Sequence, residues 1–175
     1  MSPTCPSLWP GPVRHAEPVT SLHTALFAEL DLATLHDIVR LRVDVFVVEQ
    51  NCPYPELDGR DTDESTRHVW VVDAAVVGYL RLLTEPDRSR RIGRVCVARS
   101  RRGRGLAADL VGEGLRLSRV ETPGADVVLD AQTHLAGWYE RLGFEVDGAE
   151  FVEDGIAHVP MRRRTPWPRP GATPD

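Results

Sequence analysis

The chain has 175 residues, 42% hydrophobic and 27% charged, with a net charge of −5. That length suits one domain with a sizeable core, and the acidic balance excludes a protein whose whole surface binds polyanions. All 21 basic residues are arginine, and eight of them lie between Arg88 and Arg104, so the basicity is local.

Residues 1–21 carry five prolines and no continuous apolar stretch, so they read as a flexible tail and not as a secretory signal. Residues 22–30 form a candidate strand. Asp31 then reads as the N-cap of a helix carrying Leu32, Leu35, Ile38, Val39, Val43 and Phe46 at helical spacing. Residues 50–61 form a loop, because Pro53, Pro55 and Gly59 interrupt regular structure. Residues 68–83 read as a hairpin turning near Asp73–Ala75, and residues 91–98 as a further strand. Residues 104–120 form an amphipathic helix with Leu106, Leu110, Val111, Leu117 and Val120 inward, and Asp109, Glu113 and Arg116 on the wet side. A buried strand follows at 126–132, then a short helix at 135–142 ending at Gly143. The strands 144–152 and 156–162 are joined by the turn at 153–155. Residues 165–175 are a second flexible tail, leaving one domain at 22–164. This is an α+β chain with a mixed, mostly antiparallel sheet and one internal βαβ unit.

No apolar run approaches the ~20 residues of a membrane span. Cys5, Cys52 and Cys96 are scattered, with no ligand spacing, so no metal is expected. An odd thiol count without a signal sequence points to the cytoplasm.

The stretch "ARSRRGRGLAADL" (98–110) stands where a strand ends and a helix begins. Glycines there let a ligand approach the backbone, and the helix end adds roughly half a positive charge. This suits a phosphate group. A nucleic-acid interface would spread its basic residues over a face with stacking aromatics, and here they cluster at one turn. Gly103, Gly105 and Ala108 also satisfy the dinucleotide pattern G-x-G-x-x-G/A, with Asp130 ending the next strand. A doubly wound sheet, however, has no room between the flanking hairpins.

Arg102-Gly103-Arg104-Gly105-Leu106-Ala107 resembles R/Q-x-x-G-x-G/A, the signature of the GNAT superfamily of N-acetyltransferases. "WYERLGF" (138–144) resembles that superfamily's second motif, Y-x-x-x-G-F. Segments 41–61, 67–68, 92–97, 131–135 and 153–158 are similar to its ElaA-like branch. The resemblance implies a GNAT fold with a splayed strand pair and an acetyl-CoA-dependent acyltransferase.

It further implies that Val95, Cys96 and Val97 offer main-chain groups to the pantetheine arm. Residues Arg102, Gly103, Arg104, Gly105, Leu106, Ala107 and Ala108 would cradle the pyrophosphate, and Arg99, Arg101 or Arg104 would reach the 3′-phosphate. Tyr139 would return a proton to the leaving thiolate. The base is open among Glu49, Asp58, His68, His134 and His158; Glu49 and His68 are the preferred candidates, because His68 has a near-neutral reference pKa and Glu49 follows the first helix. The three histidines lack zinc-ligand spacing. The acids Glu56, Asp58, Asp61 and Asp63 would either attract a cationic amine or simply solvate their loop. The acceptor would be a small-molecule or N-terminal amine and the protein a monomer or homodimer. The alternative class is a GNAT domain that binds an acyl-CoA as a sensor without turnover.

Overall fold

The computed structural model describes residues 20–165. Apart from Thr20, Ser21 and Thr165, the expected tails lie outside the described residues. An eight-stranded sheet runs in the order β1-β2-β3-β4-β5-β8-β6, with β7 also on β8. Its strands are β1 (Ser21–Leu26), β2 (Arg67–Val72), β3 (Val76–Thr84), β4 (Arg90–Val97), β5 (Val127–Gln132), β6 (Glu145–Val146), β7 (Phe151–Glu153) and β8 (Ile156–Arg163). Among the described residues only β4 and β5 pair in parallel, connected by the helix α2 (Leu106–Glu121). The remaining helices are α1 (Leu32–Arg42) and α3 (Ala136–Glu140). A sheet with one parallel pair is not doubly wound, so the dinucleotide reading fails on topology.

The caps follow from local chemistry. Asp31 accepts from the N–H groups of Ala33 at 2.9 Å and Thr34 at 3.0 Å, opening α1 as expected. At the end of α3, Gly143 at φ +84° lets its N–H reach the Glu140 carbonyl while Phe144 N–H returns to Tyr139. This paired closure needs a left-handed residue, which glycine adopts without strain.

The two faces of the sheet carry separate cores. α2 lays Leu106, Leu110, Val111 and Leu117 on one face, against Leu80, Ile92 and Leu129. A β-carbon at Gly114 would stand 3.4 Å from Ile92 and Leu80 side-chain atoms, so this small residue sets how closely α2 approaches the sheet. On the other face α1 packs Ile38 and Leu41 against Trp70, Tyr79 and Cys96.

Several expectations need correction. The regular α-helix stops at Arg42, and Val43–Glu49 continues in π-type winding, with Gln50 N–H reaching Val45 O and Cys52 N–H reaching Val47 O. Leu32 is 85% exposed and Val120 is 64% exposed, whereas Arg42 is buried. The single strand expected over 144–152 is split into β6 and β7, and Pro160 explains why. Pro160 has no N–H for the ladder, so the neighbouring chain detours around its ring; Asp147 N–H takes its carbonyl, and Gly148 lies over the ring. Among the described residues no helix is long and apolar enough to cross a membrane.

A β-carbon at Gly148 would fall 2.8 Å from Pro160 Cγ, inside contact distance. Gly148→Ala is therefore expected to destabilise by about 1–3 kcal/mol through overpacking, read as a lower urea midpoint with an unchanged slope.

Candidate active site

A cleft of about 940 Å³ opens between β4 and β5. The two strands pair only at Arg90↔Val127 and Arg91↔Val128, then diverge. The cause lies in β4. Against β3 its register runs from Cys96↔Tyr79 to Gly93↔Arg81, three steps on β4 against two on β3, so β4 holds an extra residue. Arg94 takes up the excess with φ +54°. Such a bulge bends the strand and strengthens its twist. Gly93–Val97 thereby keep a main-chain edge that β5 does not cover, and Val95, Cys96 and Val97 line the cleft.

At one end the cleft is lined by Arg102, which directly precedes the glycine turn that opens α2. Gly103 (φ +76°) and Gly105 (φ +84°) both adopt left-handed backbone, and Gly105 is the N-cap. The Gly105 carbonyl accepts from Ala108 and Asp109 N–H, so the N–H groups of Leu106 and Ala107 precede the helical ladder. A β-carbon at Gly103 or Gly105 would meet no protein atom within 4 Å. The space over these amides is open, and a side chain would fill it, which is the shape a phosphate cradle requires. Of the nearby arginines, Arg101 is held by Asp73 at 2.6 Å, while Arg99 and Arg104 are exposed.

The other end is walled by residues 50–61. Their acids are committed to internal arginines. Arg42 donates to Glu56 at 2.5 Å and to Asp61 at 2.8 Å. Arg81 grips Asp58 through both of its terminal nitrogens, at 2.7 and 2.6 Å, and also reaches Asp61 at 3.0 Å. Arg94, on the bulge, pairs with Glu56 at 2.8 Å and lies over the Tyr54 ring, whose hydroxyl donates to Glu56. Burial disfavours the charged Asp58 and Asp61, but hydrogen bonds and charge from Arg81 and Arg42 hold both below the usual carboxylate range. Of the acids proposed to attract an amine, Glu56, Asp58 and Asp61 are thus neutralised within the fold. Cys52 donates its thiol to the Asp154 carbonyl at 3.3 Å, tying this wall to the β7–β8 turn.

Tyr139 and Glu49 stand in the cleft lining, and His68 does not. Tyr139 is 7% exposed, between the rings of Trp138 and Phe144. Burial alone pushes its phenol up to about 12, so it holds its proton at neutral pH. Glu49 sits on the π-type turn, bound by both terminal nitrogens of Arg102 at 2.6 and 2.9 Å. That hydrogen bonding lowers its pKa and keeps it ionised. Arg102 also donates its Nε to the Val97 carbonyl at 3.0 Å, linking the glycine turn to β4.

His68 is fully buried. Its Nε2 bonds the Asp61 carbonyl at 3.0 Å, an acceptor only, so Nε2 carries the hydrogen and Nδ1 accepts from Tyr79 OH at 2.8 Å. Burial lowers its pKa, and neither nitrogen is free to take a proton. The expectation of a base at His68 therefore gives way to a bracket that fixes Asp61. Burial likewise pushes the Cys96 thiol up to about 12, leaving only its main chain available in the cleft. Arg94, Arg42 and Arg81 were not singled out from sequence; the one local sign was Gly93 beside the bulge. Among the described residues, no three His, Cys, Asp or Glu side chains stand together as metal ligands.

The fold and this site define an acyltransferase class, and comparison with known proteins agrees. A family model described as an acetyltransferase (GNAT) domain matches residues 35–165. A UPF0039 protein of Mycobacterium bovis is 45% identical over 140 residues, 77% of this chain and 87% of its own. ElaA of Escherichia coli is 38% identical over 140 residues, 78% of this chain and 91% of its own. The crystal structure of that ElaA superposes with a TM-score of 0.79 at 34% identity, covering 83% of this chain and 100% of that one. An acyl-CoA N-acyltransferase from Pseudomonas aeruginosa superposes with a TM-score of 0.78 at 38% identity, covering 83% and 99%. The chain belongs to the GNAT family, in its ElaA-like branch, and its fold is that of an N-acyltransferase.

The arginine cluster makes stability acid-sensitive. Depressed carboxylates contribute stability that is fully present above their ordinary value of 3.8 and is lost as pH falls toward the lower folded values. The urea midpoint should accordingly hold steady from pH 7 to pH 5 and fall below about pH 4. Arg42→Met removes the buried guanidinium that Glu56 and Asp61 share, leaving Arg94 to Glu56 and Arg81 to Asp61, and is expected to cost about 3 kcal/mol in the same assay at pH 7.

Proposed function

We propose that the protein is an N-acetyltransferase that moves the acetyl group of acetyl-CoA onto a primary amine by direct attack on the thioester. The observation that carries this reading is that the uncovered edge of β4, Tyr139 and Arg102 line one cleft, with the glycine turn that opens α2 following Arg102 directly in the chain. Gly103 to Ala108, with Arg102 and Arg104, hold the pyrophosphate. Val95, Cys96 and Val97 orient the pantetheine arm through their main chain, which fixes the thioester carbonyl for attack.

As the new N–C bond forms, the C–S bond breaks and the thiolate takes a proton from Tyr139. A phenol serves here because the sulfur becomes a strong acceptor only as it leaves. Glu49, held ionised, is a poor proton acceptor at neutral pH but a suitable partner for the ammonium of an arriving amine. It becomes available to that amine when the pyrophosphate draws Arg102 toward the glycine turn.

Screening primary amines while monitoring CoA thiol release tests the activity directly; acetyl-CoA binding without release of thiol to any amine would favour a sensor. Tyr139→Phe keeps the ring and removes the hydroxyl. It is expected to lower kcat by ~10²–10⁴ at saturating acetyl-CoA, with affinity and melting temperature nearly unchanged. An undiminished rate in folded protein would remove Tyr139 from the mechanism. Gly105→Val puts a branched side chain on left-handed backbone and into the cradle. Calorimetry should find acetyl-CoA affinity largely lost in a variant that still melts cooperatively.

A further inference from the structure

The amine must lose a proton as it attacks, and most titratable groups in the cleft are already engaged. Glu49 is held by Arg102, Tyr54 by Glu56, Asp58 by Arg81, and Asp130 by Arg91 at 2.5 Å. His158 differs. Its Nδ1 lies 2.9 Å from the Ile156 carbonyl, which can only accept, so Nδ1 carries the hydrogen of the neutral ring. The lone pair is thereby assigned to Nε2, for which no protein hydrogen bond is present among the described residues. The ring is stacked on Phe151, with centroids 5.8 Å apart and planes 25° apart, so its direction is fixed as well as its tautomer.

Position supports the same role. His158 lies in register with Gln132 at the open end of β5 and lines the cleft. Gln132 donates to Gln50 at 3.3 Å, and Gln50 follows Glu49 directly. The cleft therefore has Glu49 on one wall and His158 on the other, with the Gln50–Gln132 bridge between them. His134 also lines the cleft, but it is exposed and has no hydrogen bond setting its ring among the described residues.

We propose that His158 is the general base of the transfer, an inference that rests on the acyltransferase reading above. The ammonium first gives one proton to solvent, which exposes the nitrogen lone pair, and Nε2 takes the second from the nitrogen as the N–C bond forms. The resulting imidazolium keeps its Nδ1–H bond to Ile156. Its proton then passes to solvent, and Tyr139 regains from solvent the proton it gives the thiolate. An imidazole suits this task because its bare ring nitrogen accepts a proton from nitrogen and can hand it on to water.

The test compares His158→Gln and His134→Gln in the full chain, using any amine that the wild type acetylates. His158→Gln should lower kcat by ~10²–10⁴ with acetyl-CoA affinity unchanged by calorimetry, and its remaining rate should follow only the deprotonation of the amine itself. His134→Gln should stay within about twofold of wild type. A His158→Gln kcat close to wild type, or an equal loss in His134→Gln, would overturn the assignment while leaving the acyltransferase reading intact. Nitrogen NMR of the wild-type imidazoles gives a measurement independent of turnover. It should find Nδ1 protonated and Nε2 bare at His158, and the opposite tautomer there would refute the proposal even if no amine substrate were found.

Discussion

The functional geometry depends on one inserted residue in the middle of a sheet. Two parallel residue pairs hold β4 to β5, and the bulge at Arg94 then turns β4 away, so backbone groups that would otherwise complete a ladder face a cavity. Buried main-chain groups must find partners. A strand that stops pairing inside a sheet thus creates a demand that an extended amide-containing ligand can meet. The crossover from β4 to β5 through α2 places the glycine turn at the end of that uncovered edge. Phosphate recognition and strand-like recognition therefore follow from the same connection.

The wall opposite is stiffened electrostatically. Arg42, Arg81 and Arg94 meet Glu56, Asp58 and Asp61, three charges against three, with most of the partners buried. A guanidinium offers several donors in a fixed plane and can hold two carboxylates at once, as Arg42 and Arg81 both do here. Because Arg94 is also the bulge residue, the acceptor wall and the splay share a side chain. The loop at 50–61 is long, but it is pinned to the sheet at the point where the sheet opens.

What the sequence made legible were features whose cause is local. The Asp31 cap, the Gly143 closure of α3, the turn at 73–75 and the paired glycines before α2 each arise within a few residues of chain. The short motifs around Gly105 and Tyr139 were readable for the same reason. Features set by distant chain were not readable. Helical spacing placed Leu32 inward because it counts position and not neighbours, and nothing packs there. Arg42 carries no local sign of its burial, because its partners lie 14 and 19 positions away. His68 had the chemistry of a base, yet its isolation depends on Asp61 and Tyr79 closing over it, which no local pattern reports.

The π-type winding of Val43–Glu49 has a consequence for variation in chain length. Each residue of an ordinary helix advances the side-chain direction by about 100°, and a π-type turn holds one residue more than regular winding needs. Deleting a single residue between 43 and 49 would let the segment rewind as a continuous α-helix. The residue lost is the one the wider turn holds in excess, so the chain beyond keeps nearly its direction and Glu49 stays toward Arg102, whereas the same deletion in regular winding would swing it by roughly that angle. The charge presented on this wall is thus buffered against the loss of one residue, as a segment in regular α-winding is not.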